Sequence, residues 1–246
     1  MGKLTIAALT LVLGSGLALA QVSHSAVDQQ IASSLQQKLS AAKDLANVHP
    51  TVMDRVVTLD GTVPSYRAEL EAIHEAKGID NVNGYISHLE VAGPTVSDSQ
   101  LTREISDRLT YDRIGMGQTF NALTVKVDHG KVTVGGSVRD YADRDSAIDI
   151  VADTKGVKGV VDQVKVAPLS PMDDQIRLQA AQRIYGNPSL SKYASDPAHP
   201  IRIIVANGRV TLAGVVISPL DKQLAGNAVR SLPGVFSVTN DLVVGH

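Results

Sequence analysis

The sequence has 246 residues, of which 43% are hydrophobic and 20% are charged, with a formal net charge of −2. This composition is typical of a folded globular protein, and the length exceeds that of one ordinary domain. The near-neutral charge and the aromatic content of 3%, with no Trp, argue against nucleic-acid binding by charge or by base stacking. Because the sequence has no Cys, disulfides, cysteine-based zinc sites, thiol catalysis and a lipid-modified Cys are excluded.

The N-terminal segment has the pattern of a secretory signal peptide. Lys3 is followed by an apolar stretch at residues 4–13, and an A-L-A motif ends at Ala20. The alternative, a transmembrane anchor, is disfavoured because residues 4–20 are short for a bilayer span and no charged stop follows them. We therefore expect an exported protein, most simply periplasmic, that is cleaved after Ala20 and begins at Gln21.

Three landmarks recur in the same order along the rest of the chain. A V-T-x-x-G-x-V segment occupies residues 57–63, 132–138 and 210–216. Each segment is preceded by an Asp and followed by a Gly, which are Asp28, Asp98 and Asp173, and Gly78, Gly156 and Gly234. Such self-similarity is the signature of an internal repeat. It divides the chain into unit 1 (residues 25–94), unit 2 (residues 95–169) and unit 3 (residues 170–246).

Each unit begins with the pattern of an amphipathic helix. A Ser or Thr three residues before the recurring Asp predicts a capping box, in which hydroxyl and carboxylate each accept a hydrogen bond from a free N–H group. The predicted pairs are Ser25 with Asp28, Thr95 with Asp98, and Ser170 with Asp173. Apolar residues then recur at every fourth position and predict a buried stripe. The stripes consist of Ile31, Leu35 and Leu39; Leu101, Ile105 and Leu109; and Ile176, Ala180 and Ile184.

A β-hairpin is predicted after each first helix. In units 2 and 3 the strands flank turns that contain His129-Gly130 and Asn207-Gly208. Gly in this position is typical of a two-residue turn with positive φ angles, so we expect positive φ at both glycines. Unit 1 has Arg55 where the other units have Gly, which predicts either another turn type or a strained residue.

A second helix and a final strand complete each unit. Asp140 and Ser218 are predicted to cap the second helices of units 2 and 3. The recurring glycines are predicted left-handed C-terminal caps, with matching core residues five positions earlier at Ile73, Val151 and Val229. The final strands are predicted at residues 82–91, 160–166 and 238–244. The order is αββαβ, which predicts an α+β fold of three tandem units, each a small mixed sheet with two helices packed on one face.

The αββαβ order, the V-T-L-x-G-x-V strand and the helix that ends in G-V-x-x-V resemble the BON domain family. The resemblance extends over nearly all of residues 25–246 and implies a bacterial envelope protein associated with phospholipid interfaces and osmotic stress. Some members of this family are thought to act as periplasmic chaperones, and the family is not known for catalysis. The motif consists of apolar and Gly positions, so it identifies a fold more closely than a function.

Catalytic and cofactor motifs are absent from the sequence. The recurring Asp residues are explained as helix caps, and no two of the seven His residues lie at a metal-binding helical spacing. Gly115-x-Gly117 lacks the third Gly of a nucleotide loop, and Gly130-Lys131 lacks the remaining residues of a P-loop. We therefore expect no enzyme activity, no cofactor, no metal, no nucleotide and no nucleic acid.

One segment combines apolar side chains with Arg and flexible Gly at residues 111–120. Its candidate contact residues for lipid or a protein partner are Tyr111, Arg113, Ile114, Met116 and Phe120. The alternative is that Ile114, Met116 and Phe120 cover the edge of the core. The net charges of residues 21–94, 95–169 and 170–246 are −4, −1 and +2, so unit 3 is the unit best suited to an anionic surface.

Two functional hypotheses follow from the sequence. The first is a non-catalytic binding protein that contacts a phospholipid membrane surface or envelope proteins under osmotic or general stress. The second is a stress chaperone that holds unfolded envelope proteins on exposed apolar surface. The hypotheses predict different ligands, lipid vesicles in the first case and aggregating polypeptide in the second.

Overall fold

The computed structural model describes residues 26–112, 118–168, 170–194, 196 and 200–245. Within these ranges the chain forms three units with the same order of elements. Unit 1 consists of α1 (Ala26–Ala41), β1 (Val48–Met53), β2 (Val56–Val63), α2 (Tyr66–Lys77) and β3 (Gly84–Val91). Unit 2 consists of α3 (Asp98–Tyr111), β4 (Ala122–Asp128), β5 (Lys131–Val138), α4 (Tyr141–Ala152), β6 (Gly159–Asp162) and β7 (Lys165–Val166). Unit 3 consists of α5 (Pro171–Tyr185), β8 (Arg202–Ala206), β9 (Arg209–Ala213), β10 (Val215–Val216), α6 (Pro219–Arg230), β11 (Ser237–Asn240) and β12 (Val243–Val244).

Each unit is a mixed sheet with the second hairpin strand in the centre. In unit 1 the strand β2 pairs antiparallel with β1 and parallel with β3. The same pairing recurs around β5 in unit 2 and around β9 and β10 in unit 3. The final strand is continuous in unit 1 but interrupted in units 2 and 3, where β6 and β7, and β11 and β12, are separate. The predicted αββαβ order and α+β class are confirmed.

Each unit has its own hydrophobic core between one face of the sheet and its two helices. In unit 1, Leu35 and Leu39 from α1 meet Val57 and Leu59 from β2, and all four side chains are buried. The predicted stripes of all three first helices lie in these cores. The second helix of unit 1 contributes only alanines to its buried face, at positions 68, 72 and 76, so it can lie close to the sheet.

The predicted helix caps are confirmed only in part. Asp140 and Ser218 cap α4 and α6, and Ser170 accepts a hydrogen bond from the Asp173 N–H at 3.2 Å. In unit 2 the prediction for Thr95 is wrong, because α3 begins at Asp98 and the adjacent Ser97 is its cap. Ser25 lies outside the described residues.

The recurring Asp carboxylates are not explained by a capping box. Both oxygens of Asp173 accept hydrogen bonds from the hairpin turn, from the N–H groups of Asn207 and Gly208 at 2.8 Å. Asp98 accepts from the turn of unit 2 in the same way, at 2.8 and 2.9 Å, and Asp28 accepts from the Arg55 N–H at 2.9 Å. The carboxylate therefore ties the start of the first helix to the hairpin turn in every unit, and this explains why the residue recurs.

All three hairpin turns have the same backbone conformation. The φ angles are +51° and +79° at His129-Gly130 and +51° and +71° at Asn207-Gly208, which confirms the predicted positive φ of both glycines. The turn of unit 1 has φ angles of +52° and +64° at Asp54 and Arg55. Arg55 is thus a non-Gly residue in a left-handed conformation that favours Gly, and its Nε–H donates to the carbonyl oxygen of Asn81 at 2.8 Å.

The recurring glycines are not equivalent positions, and the prediction that they are left-handed helix caps is wrong. Gly78 caps α2 with a φ of −81°, whereas the helices α4 and α6 are capped by Asp153 and Ser231. The N–H to carbonyl hydrogen bonds that close the following turns are equivalent in the three units, and they join Val82 to Ile79, Val157 to Thr154, and Val235 to Leu232. In this register Gly156 and Gly234 correspond to Asn81, which also has a positive φ of +68°. The matching core residues are therefore Ala76, Val151 and Val229, and not Ile73.

Neighbouring units contact each other through side chains. Between units 1 and 2, the Arg67 guanidinium lies 3.0 Å from an Asp149 oxygen and 2.5 Å from an Asp153 oxygen. Tyr66 packs beside this ion pair against the core of unit 2, and burial raises the pKa of its hydroxyl. Between units 2 and 3, Phe120 packs against the core of unit 3.

Candidate binding surfaces

The predicted contact segment at residues 111–120 is described only at its two ends. Tyr111, at the end of α3, is 50% exposed, so its ring is accessible to a ligand. Phe120 is partly buried and covers the edge of a core, as the alternative interpretation predicts, although that core belongs to unit 3. Arg113, Ile114 and Met116 lie outside the described residues. A contact role for this segment therefore stays a prediction that rests on Tyr111 and on the residues outside the description.

Exposed apolar side chains are concentrated in unit 3. Within the described ranges, thirteen large hydrophobic residues are exposed, and seven of them lie in this unit. They are Met172, Leu178, Val215, Ile217, Leu220, Phe236 and Val243. Single exposed hydrophobic residues are common on protein surfaces, but clustered ones indicate binding sites.

Two of these residues form an apolar tip beside the hairpin turn of unit 3. Phe236 is 82% exposed and Met172 is 58% exposed. The Phe236 N–H donates to the Gly208 carbonyl oxygen at 2.8 Å, and a Cβ on Gly208 would lie 2.5 Å from the Phe236 ring. Met172 lies over Gly234, where a Cβ would be 3.3 Å from its sulfur. We call Met172, Phe236 and the adjacent exposed Arg209 the tip of unit 3.

The positions that correspond to Phe236 in the other units are polar. Asn83 in unit 1 and Lys158 in unit 2 donate their N–H groups to the second turn residue, as Phe236 does in unit 3. The predicted contact residues did not include Met172 or Phe236. The signal available in the sequence is an aromatic residue at a repeat position where the other two copies have polar side chains.

A second apolar area lies at the opposite end of the central strand of unit 3. It consists of Val215, Ile217, Leu220 and Val243, all exposed, and we call it the end patch. The paired residues Val215 and Val243 lie on the adjacent parallel strands β10 and β12.

A polar network centred on the buried side chains of Tyr193 and Asp221 lies beneath the end patch. The Tyr193 hydroxyl donates to an Asp221 oxygen at 2.7 Å and accepts from the Ile217 N–H at 2.8 Å, while the Lys192 ammonium lies 2.9 Å from Asp221. Burial raises the pKa of the Asp221 carboxyl, but Lys192, Tyr193 and Ser218 outweigh it and the pKa lies below its ordinary value. Burial raises the pKa of the Tyr193 hydroxyl. The network fixes the Ile217 backbone and the start of α6 against the 3-10 turn that contains Tyr193.

A crevice of about 340 Å³ between units 2 and 3 is lined in part by charged side chains. Its arginines are already paired with neighbouring carboxylates, Arg139 with Asp140 at 3.0 Å and Arg177 with Asp174 at 2.6 Å. The buried Arg177 donates in addition to the Val205 carbonyl oxygen at 2.6 Å. Because each arginine is paired with a carboxylate, we interpret the crevice as a junction between the two units.

Asp98, Asp128 and His129 bring potential metal-ligand atoms within 4.8 Å of one another. Both oxygens of Asp98 are already engaged by the N–H groups of the turn, and these hydrogen bonds, with Gly130 contributing most, hold the pKa of Asp98 below its usual range. The turn interaction therefore accounts for Asp98, and Asp128 with His129 forms an exposed pair at 2.7 Å.

None of the helices in the described part of the chain has both the length and the apolar character to cross a membrane.

Known proteins with similarity to this chain include one curated relative and several solved structures. The chain is 25% identical over 160 residues, 63% of its length and 77% of the relative, to Osmotically-inducible protein Y of Escherichia coli (strain K12). CdsD, a structural protein of the type III secretion system of Chlamydia trachomatis, is 13% identical over 88% of this chain and 92% of that chain, with a TM-score of 0.24. The periplasmic domain of PrgH from S. typhimurium is 12% identical over 86% of this chain and 98% of that chain, with a TM-score of 0.18. At these TM-scores the two structural similarities support no inference about function or about the arrangement of the units.

The family comparison agrees with the internal repeat. Residues 27–93, 97–168 and 173–246 each match the BON domain. Each match contains one hydrophobic core and follows the αββαβ order. The strands form one mixed sheet in units 1 and 2, and in unit 3 they are divided into a three-stranded mixed part and a two-stranded parallel part. The resemblance inferred from the residues is therefore confirmed, and the chain belongs to the BON domain family, of which it carries three copies.

Proposed function

We propose that this protein is a non-catalytic, exported binding protein that contacts the phospholipid surface of the bacterial envelope under osmotic or general stress. The observation that carries the proposal is the tip of unit 3, where Phe236 and Met172 are exposed beside Arg209. The relative named for osmotic induction supports the association with stress. Export is proposed from the signal-like pattern that ends at Ala20, which lies outside the described residues.

The energetics of the tip match a peripheral membrane contact. Each large apolar side chain that becomes fully buried contributes roughly 1.5–3 kcal/mol. Each basic residue near an anionic surface adds roughly 1 kcal/mol, so the net charge of +2 on unit 3 is too small to act alone. Apolar insertion and charge together predict reversible binding that salt weakens without abolishing, since salt screens charges but not apolar contact.

Vesicle co-sedimentation tests this assignment. The full protein should bind vesicles that contain an anionic phospholipid more strongly than neutral vesicles. The variant Met172→Asp, Phe236→Asp should bind severalfold more weakly while remaining folded, because both side chains are exposed in the free protein.

Two control variants make the test specific. Tyr141→Asp changes a 69% exposed residue of unit 2 that is outside the tip, and it should bind as the parent does. Tyr111→Asp tests the segment predicted from the sequence and separates a contribution of that segment from one of the tip. Normal binding by the double variant at the tip would overturn the placement on unit 3.

A stress chaperone is the second candidate function. The observation that favours it is the end patch, which gives unit 3 a second exposed apolar area distinct from the tip. A chaperone of this kind should suppress aggregation of an unfolded client protein, and Ile217→Asp with Leu220→Asp should reduce the suppression. Vesicle binding without aggregation suppression would favour the membrane-contact function, and the reverse result would favour the chaperone.

A further inference from the structure

Three exposed lysines lie at the end of unit 2 that contains its hairpin turn. Lys131 begins β5 directly after the turn, and its register partner on the adjacent parallel strand is Gly159. The N–H group of Lys158 donates to the Gly130 carbonyl oxygen at 2.9 Å. A Cβ on Gly130 would lie 3.1 Å from the Cγ atom of Lys158, so the stem of this lysine packs over the turn. Lys155 lies in the loop after α4, and we call the three lysines the lysine tip.

The carboxylates next to the lysine tip in the sequence are engaged by other groups. Both oxygens of Asp98 accept hydrogen bonds from the turn N–H groups at 2.8 and 2.9 Å. An Asp128 oxygen lies 2.7 Å from Nδ1 of His129, and an Asp153 oxygen lies 2.5 Å from Nε of Arg67. Within the residues that the structure describes, no lysine of the tip forms an ion pair. The three ammonium groups therefore remain available to an anion, although residues 95–169 as a whole carry a net charge of −1.

Units 1 and 3 do not repeat the lysine tip, although they share its fold. The strand register and the turn hydrogen bonds define the equivalent positions in each unit. In the order of Lys131, Lys155 and Lys158, they are Val56, Asp80 and Asn83 in unit 1, and Arg209, Pro233 and Phe236 in unit 3. The fold of the unit therefore does not require lysines at this end of the sheet.

The chemistry of the lysine tip suits phosphate. The Lys ammonium group is a compact charge with three N–H donors on a flexible stem, and it is a common ligand of phosphate oxygens. Adjacent strands are about 4.8 Å apart, so the side chains of Lys131 and Lys158 can reach the same phosphate group. We infer that the lysine tip of unit 2 is a binding site for phosphate groups, either of lipid headgroups or of soluble phosphates. The lipid source rests on the proposed function, whereas the soluble source does not.

Vesicle co-sedimentation of the full protein tests the lipid source. The variant Lys131→Gln, Lys158→Gln should bind phosphatidylglycerol vesicles at least about tenfold more weakly than the parent, because each basic residue near an anionic surface contributes roughly fivefold in affinity. Binding to phosphatidylcholine vesicles should not change. Lys43→Gln, Lys165→Gln is the matched control, since it removes two exposed lysines outside the tip and changes the net charge equally. This control should bind as the parent does, and both variants should keep the parent's unfolding midpoint.

An NMR titration with inorganic phosphate tests the soluble source, with chloride at equal ionic strength as the reference. The amide signals of Gly130, Lys131 and Lys158 should shift with phosphate in the parent and in the control variant. The lysine-tip variant should lose the shifts of its turn amides. Phosphate shifts without a vesicle effect would support the site with a soluble ligand, and a tip-specific vesicle effect without shifts would support it with a lipid headgroup.

Two results separate failure of the site from failure of the proposed function. If the parent binds no vesicles, the membrane-contact function fails, and the phosphate titration alone decides the lysine tip. If the turn amides do not respond to phosphate and the lysine-tip variant binds vesicles no more weakly than its control, the lysine tip is overturned as a phosphate site, whatever the unit 3 tip contributes.

Discussion

The hairpin turns of units 1 and 3 have the same backbone but different residues. Asp54 and Arg55 adopt φ angles of +52° and +64°, and Asn207 and Gly208 adopt +51° and +71°. In unit 3 the turn is packed closely, because a Cβ on Gly208 would lie 2.7 Å from the Gly234 carbonyl oxygen. In unit 1 the same position carries a long side chain that bonds outward to Asn81. Turn residues alone therefore do not determine this conformation.

The two turns share their external constraints. A two-residue connection between twisted antiparallel strands favours a turn with both φ angles positive. A carboxylate from the first helix, Asp28 or Asp173, then accepts hydrogen bonds from the turn N–H groups. Strand pairing and the helix carboxylate therefore impose the turn conformation, and Gly only removes its strain.

The largest expected effect comes from removing the helix carboxylate in unit 3. Asp173 is 1% exposed and both oxygens hold turn N–H groups. Asp173→Ala should lower the free energy of unfolding of unit 3 by about 3 kcal/mol, because two hydrogen bonds to a charged group are lost and the buried Gly208 N–H is left without its partner. Hydrogen exchange of the unit 3 amides measures this loss. Asp241→Ala changes an exposed carboxylate in the same unit and is the control. An equal effect of both variants would contradict the role of Asp173.

A smaller loss is expected from filling the space at Gly208. Gly208→Val introduces a β-branched residue at positive φ and a clash with the Gly234 carbonyl, so unit 3 should lose about 2 kcal/mol of stability. Gly130→Val is the matched variant in unit 2, where the nearest atoms would be 3.1 Å from the added Cβ. Unit 2 should therefore lose less stability in Gly130→Val than unit 3 loses in Gly208→Val. An unchanged unfolding midpoint for Gly208→Val would show that the turn relaxes freely.

Introducing Gly into the turn of unit 1 should have a smaller effect. Arg55→Gly and Arg55→Ala both remove the hydrogen bond to Asn81, but only Gly relieves the left-handed conformation. Arg55→Gly should therefore be more stable than Arg55→Ala by about 1 kcal/mol. Chemical denaturation of the two variants, followed by unit 1 signals, gives the difference. Equal stability would mean that the turn of unit 1 is not strained.

The smallest effect is a pH dependence in unit 2. The turn N–H groups of Gly130 and His129 hold the pKa of Asp98 below its ordinary value. A carboxyl with a lowered folded-state pKa stabilises the fold above its unfolded-state pKa, and this contribution disappears as the pH falls through the folded-state value. Protection of the turn amides should therefore decrease on acidification from about pH 6 to about pH 2, and less so in Asp98→Asn. A pH dependence that is the same in both proteins would contradict this assignment.

The predictions from sequence succeeded where they relied on hydrophobic periodicity. They failed where they aligned the three units on the identity of a single residue. Leu35, Leu101 and Ile176 lie in the cores because a period of four residues places them on one helix face. Gly78 and Gly156 are both glycines, but the turn hydrogen bonds align Gly156 with Asn81, which is three positions after Gly78. Glycine serves several backbone roles, so its identity does not fix its position in a repeat.

For the candidate binding residues, the sequence shows the residue type, but the exposure of the side chain depends on the tertiary structure. Phe120 is apolar and lies near an Arg in the sequence, but it packs against the core of the next unit. Phe236 was not singled out because exposure depends on what covers a side chain in three dimensions.

The order of elements, the number of units and the core stripes were predictable from the sequence, because hydrophobic periodicity and short turn motifs are local properties. The tertiary structure decided the role of the recurring Asp, whose partners Asn207 and Gly208 are more than thirty residues away from Asp173. It also decided the register of the loops after α2, α4 and α6 and which apolar side chains stay exposed. These features depend on contacts between distant segments, and packing of helix, hairpin and final strand into one unit creates those contacts.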